Sequence, residues 1–407
     1  MINKRKILND PIYGFITIPN ELIYDLVQHS YFQRLRRITQ MGLSYLVYPG
    51  ATHTRFHHAL GCMHLMQKVI EVLRFKEVAI NQDEENALLI AILLHDMGHG
   101  PFSHAMEHSI VEGVNHESIS LLFMNKLNDE FDGKLSLAIK IFKGNYHRKF
   151  MLQLISSQLD MDRMDYLKRD SFYSGVNEGN INSERLIQMM NVVDDVLVIE
   201  EKGIYSVEKF LMARRLMYWQ AYLHKTSLVA ELILTKILKR AKELTQKGID
   251  LDCSKPLKYF LENKIELVNF DNQVLEKFAQ LDDFDIISAL KNWQTNDDFI
   301  ISSLSKMIIN RDLLKIKMSP EKITLEEKNH LIEKFAKQEN ISVHDANYFI
   351  FKGKIINQAY SSVAEPIRIL MKNNIVEDVV EASDQLNLKA LSKAVTKYYI
   401  CFPKNLV

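Results

Sequence analysis

From Glu21 to about Lys242 the apolar residues recur mostly three and four positions apart, as in LIYDLVQ, ALLIAILLHDMG and LVAELILTKILKRA, the period of an α-helix with a buried face. Two stretches interrupt it. MGLSYLVYPGATH carries the Gly and Pro of a loop around a short β-like run, and GHGPFSH breaks a helix directly after His95 and Asp96, so polar side chains gather at helix ends. After Gly248, helical runs such as VLEKFAQL alternate with LLKIKM, NYFIFKG, EPIRILM and KYYICF, whose β-branched and aromatic residues predict strands. The pattern therefore predicts a mainly α chain in two closely packed parts, residues 1–244 and a smaller α+β subdomain over 245–407. No repeat, low-complexity tract or long Gly/Ser linker separates them.

At 407 residues the chain exceeds the usual size of a single core, which agrees with that division. Lysine plus arginine equal aspartate plus glutamate at 51 each, so no global charge draws the chain to nucleic acid or to an anionic membrane. Nucleic acid is not indicated as a partner, although a local basic pocket stays compatible with neutrality. The amino terminus MINKRKILNDPIYGFI has no apolar signal core, and no segment offers the roughly 18 uninterrupted apolar residues of a spanning helix. A soluble, cytoplasmic protein is expected. Cys62, Cys253 and Cys401 lie far apart without paired spacing, which predicts reduced packing residues and neither disulfides nor a thiolate zinc site.

The densest chemistry is His95-Asp96, at the end of the apolar run in ALLIAILLHDMGHGPFSH. A neutral imidazole and a carboxylate projecting into one cavity suit a divalent transition metal. The dipeptide alone is as well explained by a cap or a surface pair. Its surroundings weigh against that: HTRFHHALGCMHLM offers His53, His57, His58 and His64 upstream, and SSQLDMDRMDYLKRD offers Asp160, Asp162, Asp165 and Asp170 downstream. One imidazole from the first stretch and one carboxylate from the second would complete a site with coordination positions left for water and phosphate, which suits phosphoester hydrolysis. His99, His104 and His116 add groups that titrate near neutrality, as proton transfer to a leaving oxygen requires.

The series His57-His58, His95-Asp96, Asp162 resembles the H…HD…D signature of the HD superfamily, and HDMGHGPFSH is a highly specific version of it. The resemblance implies an HD-type helical fold over residues 1–244 and a metal site of His58, His95, Asp96 and Asp162, filled by Fe, Mn, Zn or Ni. It extends to YFQRLRRITQMGLSYLVYPGATHTRFHHALG, LDMDRMDYLKRDSFYSGV and ARRLMYWQAYLHK, which are similar to stretches of the deoxynucleoside triphosphate triphosphohydrolases related to the SAM domain and HD domain containing protein. Residues from about 4 to 240 are covered well, and the tail more loosely.

Within that subfamily, Gln40-Met41 stands where the deoxyribose is lined against a 2′-hydroxyl, and Tyr166 and Asp170 match the aromatic wall and the 3′-hydroxyl acceptor. An apolar wall clashes with an added hydroxyl and strips it of hydrogen bonds, a physical route to choosing dNTP over NTP. Arg55, Arg163 and Arg214 fall at phosphate-contacting positions, with Mg expected on the triphosphate, and Tyr222 matches the residue that closes over the nucleotide. Two departures are Arg163, where relatives often have Lys, and Tyr218, where His is familiar near the base. The implied reaction is hydrolysis at the α-phosphorus to deoxynucleoside and tripolyphosphate. His116 or His104, with His99 nearby, would protonate the 5′-oxygen, and Glu107 and Glu117 would orient those imidazoles.

RKILNDPIYG, with Lys6, Ile7 and Asn9, together with Gln33, Arg36 and Lys225, resembles the family's activator-nucleotide pocket between subunits, which implies a homo-oligomer, dimer or tetramer. Gln28 replaces the acidic residue that reads guanine there, so dependence on GTP does not carry over. Two other functions are compatible with the metal residues: a broader HD phosphohydrolase acting on nucleoside monophosphates or other phosphoesters, and a nucleotide-sensing or nucleic-acid-binding module with little turnover.

Overall fold

The structure, a computed structural model, describes residues 6–107, 109–111, 113–362, 365–384 and 393–406; the side chain of His104 lies outside the described residues. Its centre is the helix Gln82–Leu94, started by a reciprocal Asn81–Glu84 capping box. Every residue from Ala87 to Leu94 is apolar and buried, which is what a helix surrounded on all sides requires. The helix stops at His95, and the GHGP that follows cannot continue it, so the His-Asp pair sits at the mouth of the core.

Two helices flank that mouth. Arg55–Phe75 begins with its own capping box, in which Thr54 and His57 bond reciprocally. Met161–Ser174 is capped by Asp160, whose carboxylate accepts the Arg163 N–H at 2.7 Å, and ends at Gly175 with φ 74°. Further along, Ile204–Met217 passes through a π-helical turn, Tyr218–Tyr222, before the 22-residue helix Lys225–Gln246. A π turn inserts one extra residue and rotates the side chains that follow it, a device found often at functional sites.

The strands predicted after Gly248 are present as Lys315–Ser319, Phe351–Asn357, Arg368–Leu370 and Val395–Phe402. Val395–Phe402 is the centre of an antiparallel three-stranded sheet between Lys315–Ser319 and Phe351–Asn357. Arg368–Leu370 instead pairs in parallel with Val196–Glu200, tying the tail to the first part of the chain. That partner strand forms a hairpin with Met190–Val193, turning at Asp194 and Asp195, both with positive φ. Alternating apolar residues about a two-residue turn are a hairpin signal, and MNVVDDVLVIE carries it inside a region expected to be helical.

One expectation is corrected. The β-like run in MGLSYLVYPGATH is the 3₁₀ turn Gly42–Leu46, and its extended neighbours make only the isolated bridge Thr39–Thr54. Gly42 adopts φ 53°, and the Ser44, Val47 and Tyr48 amides find carbonyls within the segment, so the backbone is satisfied without a strand partner.

The two parts share one continuous hydrophobic core from Ile16 to Leu406. Where they meet, the segment 281–283 braces the centre of the first. The fully buried Arg34 donates to the carbonyls of Leu281, Met97 and His99, and Arg37 pairs with Asp282. Asp283 accepts from the backbone and hydroxyl of Thr39 at 2.8 and 2.7 Å and from the Phe102 amide at 3.2 Å. Burial pushes the Asp283 carboxyl up to about 6 against those bonds.

Candidate active site

His58, one turn into Arg55–Phe75, turns its Nε2 towards Asp162 Oδ1 at 3.1 Å and Asp96 Oδ2 at 3.6 Å. His95 Nε2 lies 3.3 Å from Asp96 Oδ1 and 3.6 Å from Asp162 Oδ1. Four side chains from three distant stretches thus converge. Burial disfavours charge on both imidazoles, yet the neighbouring carboxylates raise their affinity for a proton. The same contacts hold Asp162 below the usual carboxylate range despite its burial.

The ring nitrogens are already sorted. His95 Nδ1 donates to the Ile92 carbonyl at 2.6 Å, which leaves Nε2 as a lone pair, and that atom is buried without a hydrogen-bond partner among the described residues. His58 Nδ1 meets Asp165 Oδ2 at 2.7 Å, so its Nε2 is likewise the inward lone pair. Asp165 is gripped by Arg169 through both nitrogens, at 2.9 and 3.0 Å, and Arg169 reaches Asp10 at 2.7 Å. Imidazoles whose outer nitrogen is fixed by a carbonyl or a carboxylate, aimed at two carboxylates, are the donor set of a divalent transition ion. The residues present fit a metal.

The alternatives left open by the sequence now separate. His57 is spent on the Thr54 cap, His53 stacks on Tyr173 and pairs with Asp170 at 2.7 Å, and His64 packs beside Tyr13. Asp160 is a helix cap and Asp165 a support for His58. Cys62, read from sequence as packing, lies one turn after His58 with Sγ 3.5 Å from its Nδ1 and belongs to the same cluster of donor atoms. Burial pushes its thiol well up, while Asp96 falls with His99 and His116 in a second, adjoining group of donor atoms. Its spacing of four from His58 was the signal available.

Beside the four opens a cavity of about 390 Å³, lined by Gln40, Met41, Arg55, Arg163, Tyr166, Asp170, Tyr218 and Tyr222 among others. Eight of the nine residues expected to meet substrate line it; Arg214 is the ninth. Phe102, Ser103, Leu223, Leu228 and Glu231 line it without having been expected. A more open groove of about 880 Å³ runs past Lys317 and His330, away from any cluster of donor atoms.

Twelve buried side-chain nitrogen or oxygen atoms lack a hydrogen-bond partner among the described residues, and six of them lie at or beside this site: Gln40 Oε1, Arg55 Nε and Arg163 Nε on lining residues, His95 Nε2 among the convergent four, and Arg214 Nε and Nη1, whose charge reaches Tyr166 of the lining. Each such group costs about 1–3 kcal/mol if nothing answers it. They come from five side chains, three of them arginines, and that concentration suits a polar, anionic occupant. Arg55 also donates to Asp96 at 2.5 Å, and Arg163 stands 3.3 Å from Asp160, so both are held in place.

Asp170 receives His53 on Oδ1 and the Tyr222 hydroxyl on Oδ2 at 2.8 Å, and each oxygen keeps a lone pair for a further donor. Tyr166, Tyr218 and Tyr222 meet edge to face, with Tyr222 5.2 Å from Tyr218 and 6.0 Å from Tyr166. Burial, then the nearby Asp170, raises the Tyr222 phenol, which stays a donor.

On the other side of Asp96, His99 Nε2 approaches its Oδ1 at 3.3 Å while His99 Nδ1 meets Ser103 Oγ at 2.7 Å. His116 stacks on His99 with ring centres 3.9 Å apart, and its Nδ1 lies 3.4 Å from Glu107 Oε1. Glu117, exposed in the first turn of His116–Glu130, has no hydrogen bond or ion pair with either imidazole. The expected role of His104 lies outside the described residues.

The residues singled out for an activator are at the surface. Lys6, Ile7 and Asn9 are exposed in or beside the strand Ile7–Asp10, with the Lys6 ammonium over the Tyr24 ring. Gln33 accepts from Arg36 at 2.8 Å, and the Arg36 guanidinium lies 3.6 Å over the Phe56 ring. Lys225 is exposed at the start of its helix.

The chain is similar to known proteins over most of its length. Residues 55–170 match the HD domain and residues 181–252 the HD associated region. The crystal structure of a phosphohydrolase from Bacteroides thetaiotaomicron is 51% identical, covers 98% of this chain and 100% of its own, and superposes with a TM-score of 0.95. The Bacillus subtilis protein YwfO is 31% identical over all of this chain and 94% of its own length. Human deoxynucleoside triphosphate triphosphohydrolase SAMHD1 is 27% identical over 60% of this chain and 45% of its own, so this chain spans under half of that relative.

Proposed function

The chain belongs to the HD-domain family of metal-dependent phosphohydrolases, and from that premise we propose that it hydrolyses deoxynucleoside triphosphates to deoxynucleoside and tripolyphosphate. The observation that carries this reading is the set of unanswered guanidinium nitrogens on Arg55 and Arg163 in the cavity lining, and on Arg214 nearby, beside the convergent His58, His95, Asp96 and Asp162. A monophosphate would answer few of them, whereas a triphosphate presents oxygens enough for all three forks. That the Dictyostelium discoideum and human relatives are deoxynucleoside triphosphate triphosphohydrolases supports the same choice.

A divalent cation held by His58, His95, Asp96 and Asp162 would acidify a water molecule and polarise a phosphate oxygen. Two imidazoles among the ligands favour Fe, Mn, Zn or Ni there, with Mg accompanying the triphosphate. Around it the side chains divide the work. Arg55, Arg163 and Arg214 hold phosphate oxygens. Met41 and Gln40 face the sugar, Tyr166 and Tyr222 enclose it, and Asp170 accepts the 3′-hydroxyl on its remaining lone pairs. His116, oriented by Glu107 and stacked on His99, delivers a proton to the 5′-oxygen as the bond from that oxygen to the α-phosphorus breaks and water oxygen takes its place. The exposed Lys6, Ile7 and Asn9 with Gln33, Arg36 and Lys225 are the edge at which an activator nucleotide and a second copy of the chain would meet.

Purified protein incubated with each dNTP, NTP and dNMP in Mn or Mg, followed by chromatography, tests the reading. Tripolyphosphate released from dNTPs alone is the expected result. Phosphate released from monophosphates, or NTP turnover at the same rate, would replace it with the broader phosphohydrolase.

A further inference from the structure

Glu231 lines the nucleotide cavity, yet nothing in the metal, phosphate or sugar assignments uses it. It sits in the second turn of Lys225–Gln246, partly buried, and no hydrogen bond or ion pair of its carboxyl group is present among the described residues; only its backbone carbonyl is engaged, by Thr235. Every other acidic group of the cavity has partners: Asp170 has His53 and Tyr222. Burial alone raises the Glu231 carboxyl to about 7, since no neighbouring cation opposes it. Such a group is costly in a cavity wall unless an occupant supplies donors.

Its position bears on which part of the occupant that is. A Cβ built on Gly42 would lie 3.5 Å from Glu231 Oε1, and Gly42 directly follows Met41, the residue set against the sugar. The arginines and the metal ligands hold the phosphate end. The deoxyribose fills the middle, against Gln40, Met41 and Asp170. Gly42, Leu223, Leu228 and Glu231 line the same cavity, and on that reading they form the wall that the nucleobase would meet. Leu223 and Leu228 supply an apolar surface for its faces, and Glu231 supplies the one ionisable group at its edge.

We propose that Glu231 reads the base, and that it selects guanine by accepting the N1–H and exocyclic N2–H donors on its two carboxylate oxygens. This rests on the deoxynucleotide reading above. Two adjacent donors are what a carboxylate fork matches, and guanine alone presents them. Adenine and cytosine set a ring acceptor beside their amino group, and thymine flanks its N3–H with carbonyls, so each turns a lone pair towards one carboxylate oxygen. The leucines tolerate any ring, so the discrimination is graded and all four bases enter.

The test measures kcat/KM for the four dNTPs with the wild-type chain, Glu231→Gln and Glu231→Ala, each checked for unaltered thermal unfolding. The ratio of dGTP to dTTP should fall by roughly 5- to 150-fold in Glu231→Ala, the worth of one bidentate pair. It should fall as well in Glu231→Gln, which keeps the shape and exchanges an acceptor for a donor. Ratios that stay the same in both variants while dNTPs are hydrolysed would overturn the role of Glu231 and leave the proposed function standing. A second measurement separates the reverse case: deoxyguanosine and thymidine, which carry no phosphate, are titrated calorimetrically into each protein. Loss of a deoxyguanosine preference in the variants supports Glu231 even if no triphosphate is turned over; equal binding of both nucleosides by the wild type refutes it.

Discussion

Asp165 does not face the cavity, yet it decides how one of the ligands behaves. It accepts a hydrogen bond from His58 Nδ1 and is itself clamped by Arg169, which Asp10 holds from the other side. Arg169 then His58 hold the carboxyl down to about 2 against its burial, so it stays ionised and keeps His58 in the tautomer with its lone pair inward. Asp165→Asn keeps the shape and removes the charge. Its expected effect is a roughly 10- to 100-fold loss of metal affinity, with turnover largely restored at saturating metal. Titration of metal-stripped protein, with activity followed alongside, measures both; unchanged affinity would show that His58 is oriented by its helix alone.

The sequence is legible at this scale wherever residues adjacent in the chain also act together. His95 and Asp96 announce themselves because one dipeptide sets two candidate ligands at a helix end. Asp165 was only one of four carboxylates within reach, and its role depends on Arg169 and Asp10, the latter a residue from the far end of the chain. Glu231 was passed over because a lone glutamate on an amphipathic helix reads as a solvated position until Gly42 is seen packed across from it.

Between elements, the ligands are brought together by an unusually close approach of two helices. A Cβ on Gly61, in the middle of Arg55–Phe75, would stand 2.0 Å from Asp165 Oδ1 and 2.4 Å from Arg169 Nη2 on Met161–Ser174. Both atoms belong to side chains locked in the His58 relay, so neither can move aside freely. Gly61→Ala should therefore destabilise the fold by about 1–3 kcal/mol, read as a lowered denaturation midpoint, and should weaken metal binding as well. A variant as stable as wild type, with full metal content, would mean that the helices separate without cost. Helical period in RFHHALGCMHLM predicted the element correctly, but a glycine inside it reads only as a weak point. The π turn Tyr218–Tyr222 was hidden for a related reason: one inserted residue leaves the apolar spacing of MYWQAYLHK compatible with an ordinary helix, while changing which tyrosines face the cavity.

Across the whole molecule, the cavity is a joint product of the two parts. Thr39 and Phe102, both in the cavity lining, are held by Asp283, and Arg34 is anchored on Leu281, contacts that span some 180 residues or more of chain. Local pattern cannot show such contacts, which is why the division into a helical part and an α+β part was readable while its consequence for the site was not. Among the described residues no helix is long and apolar enough to cross a membrane. Everything proposed for this chain depends on stretches around positions 58, 95 and 162 meeting at a single ion. The most direct measurement is the transition-metal content and dNTP turnover of the wild type, His95→Ala and Asp162→Ala, determined on the same preparations. Bound metal and turnover should be present in the wild type and disappear together in each variant, whichever stretch is altered; a variant that loses its ligand and still turns over dNTPs at the wild-type rate would contradict the account.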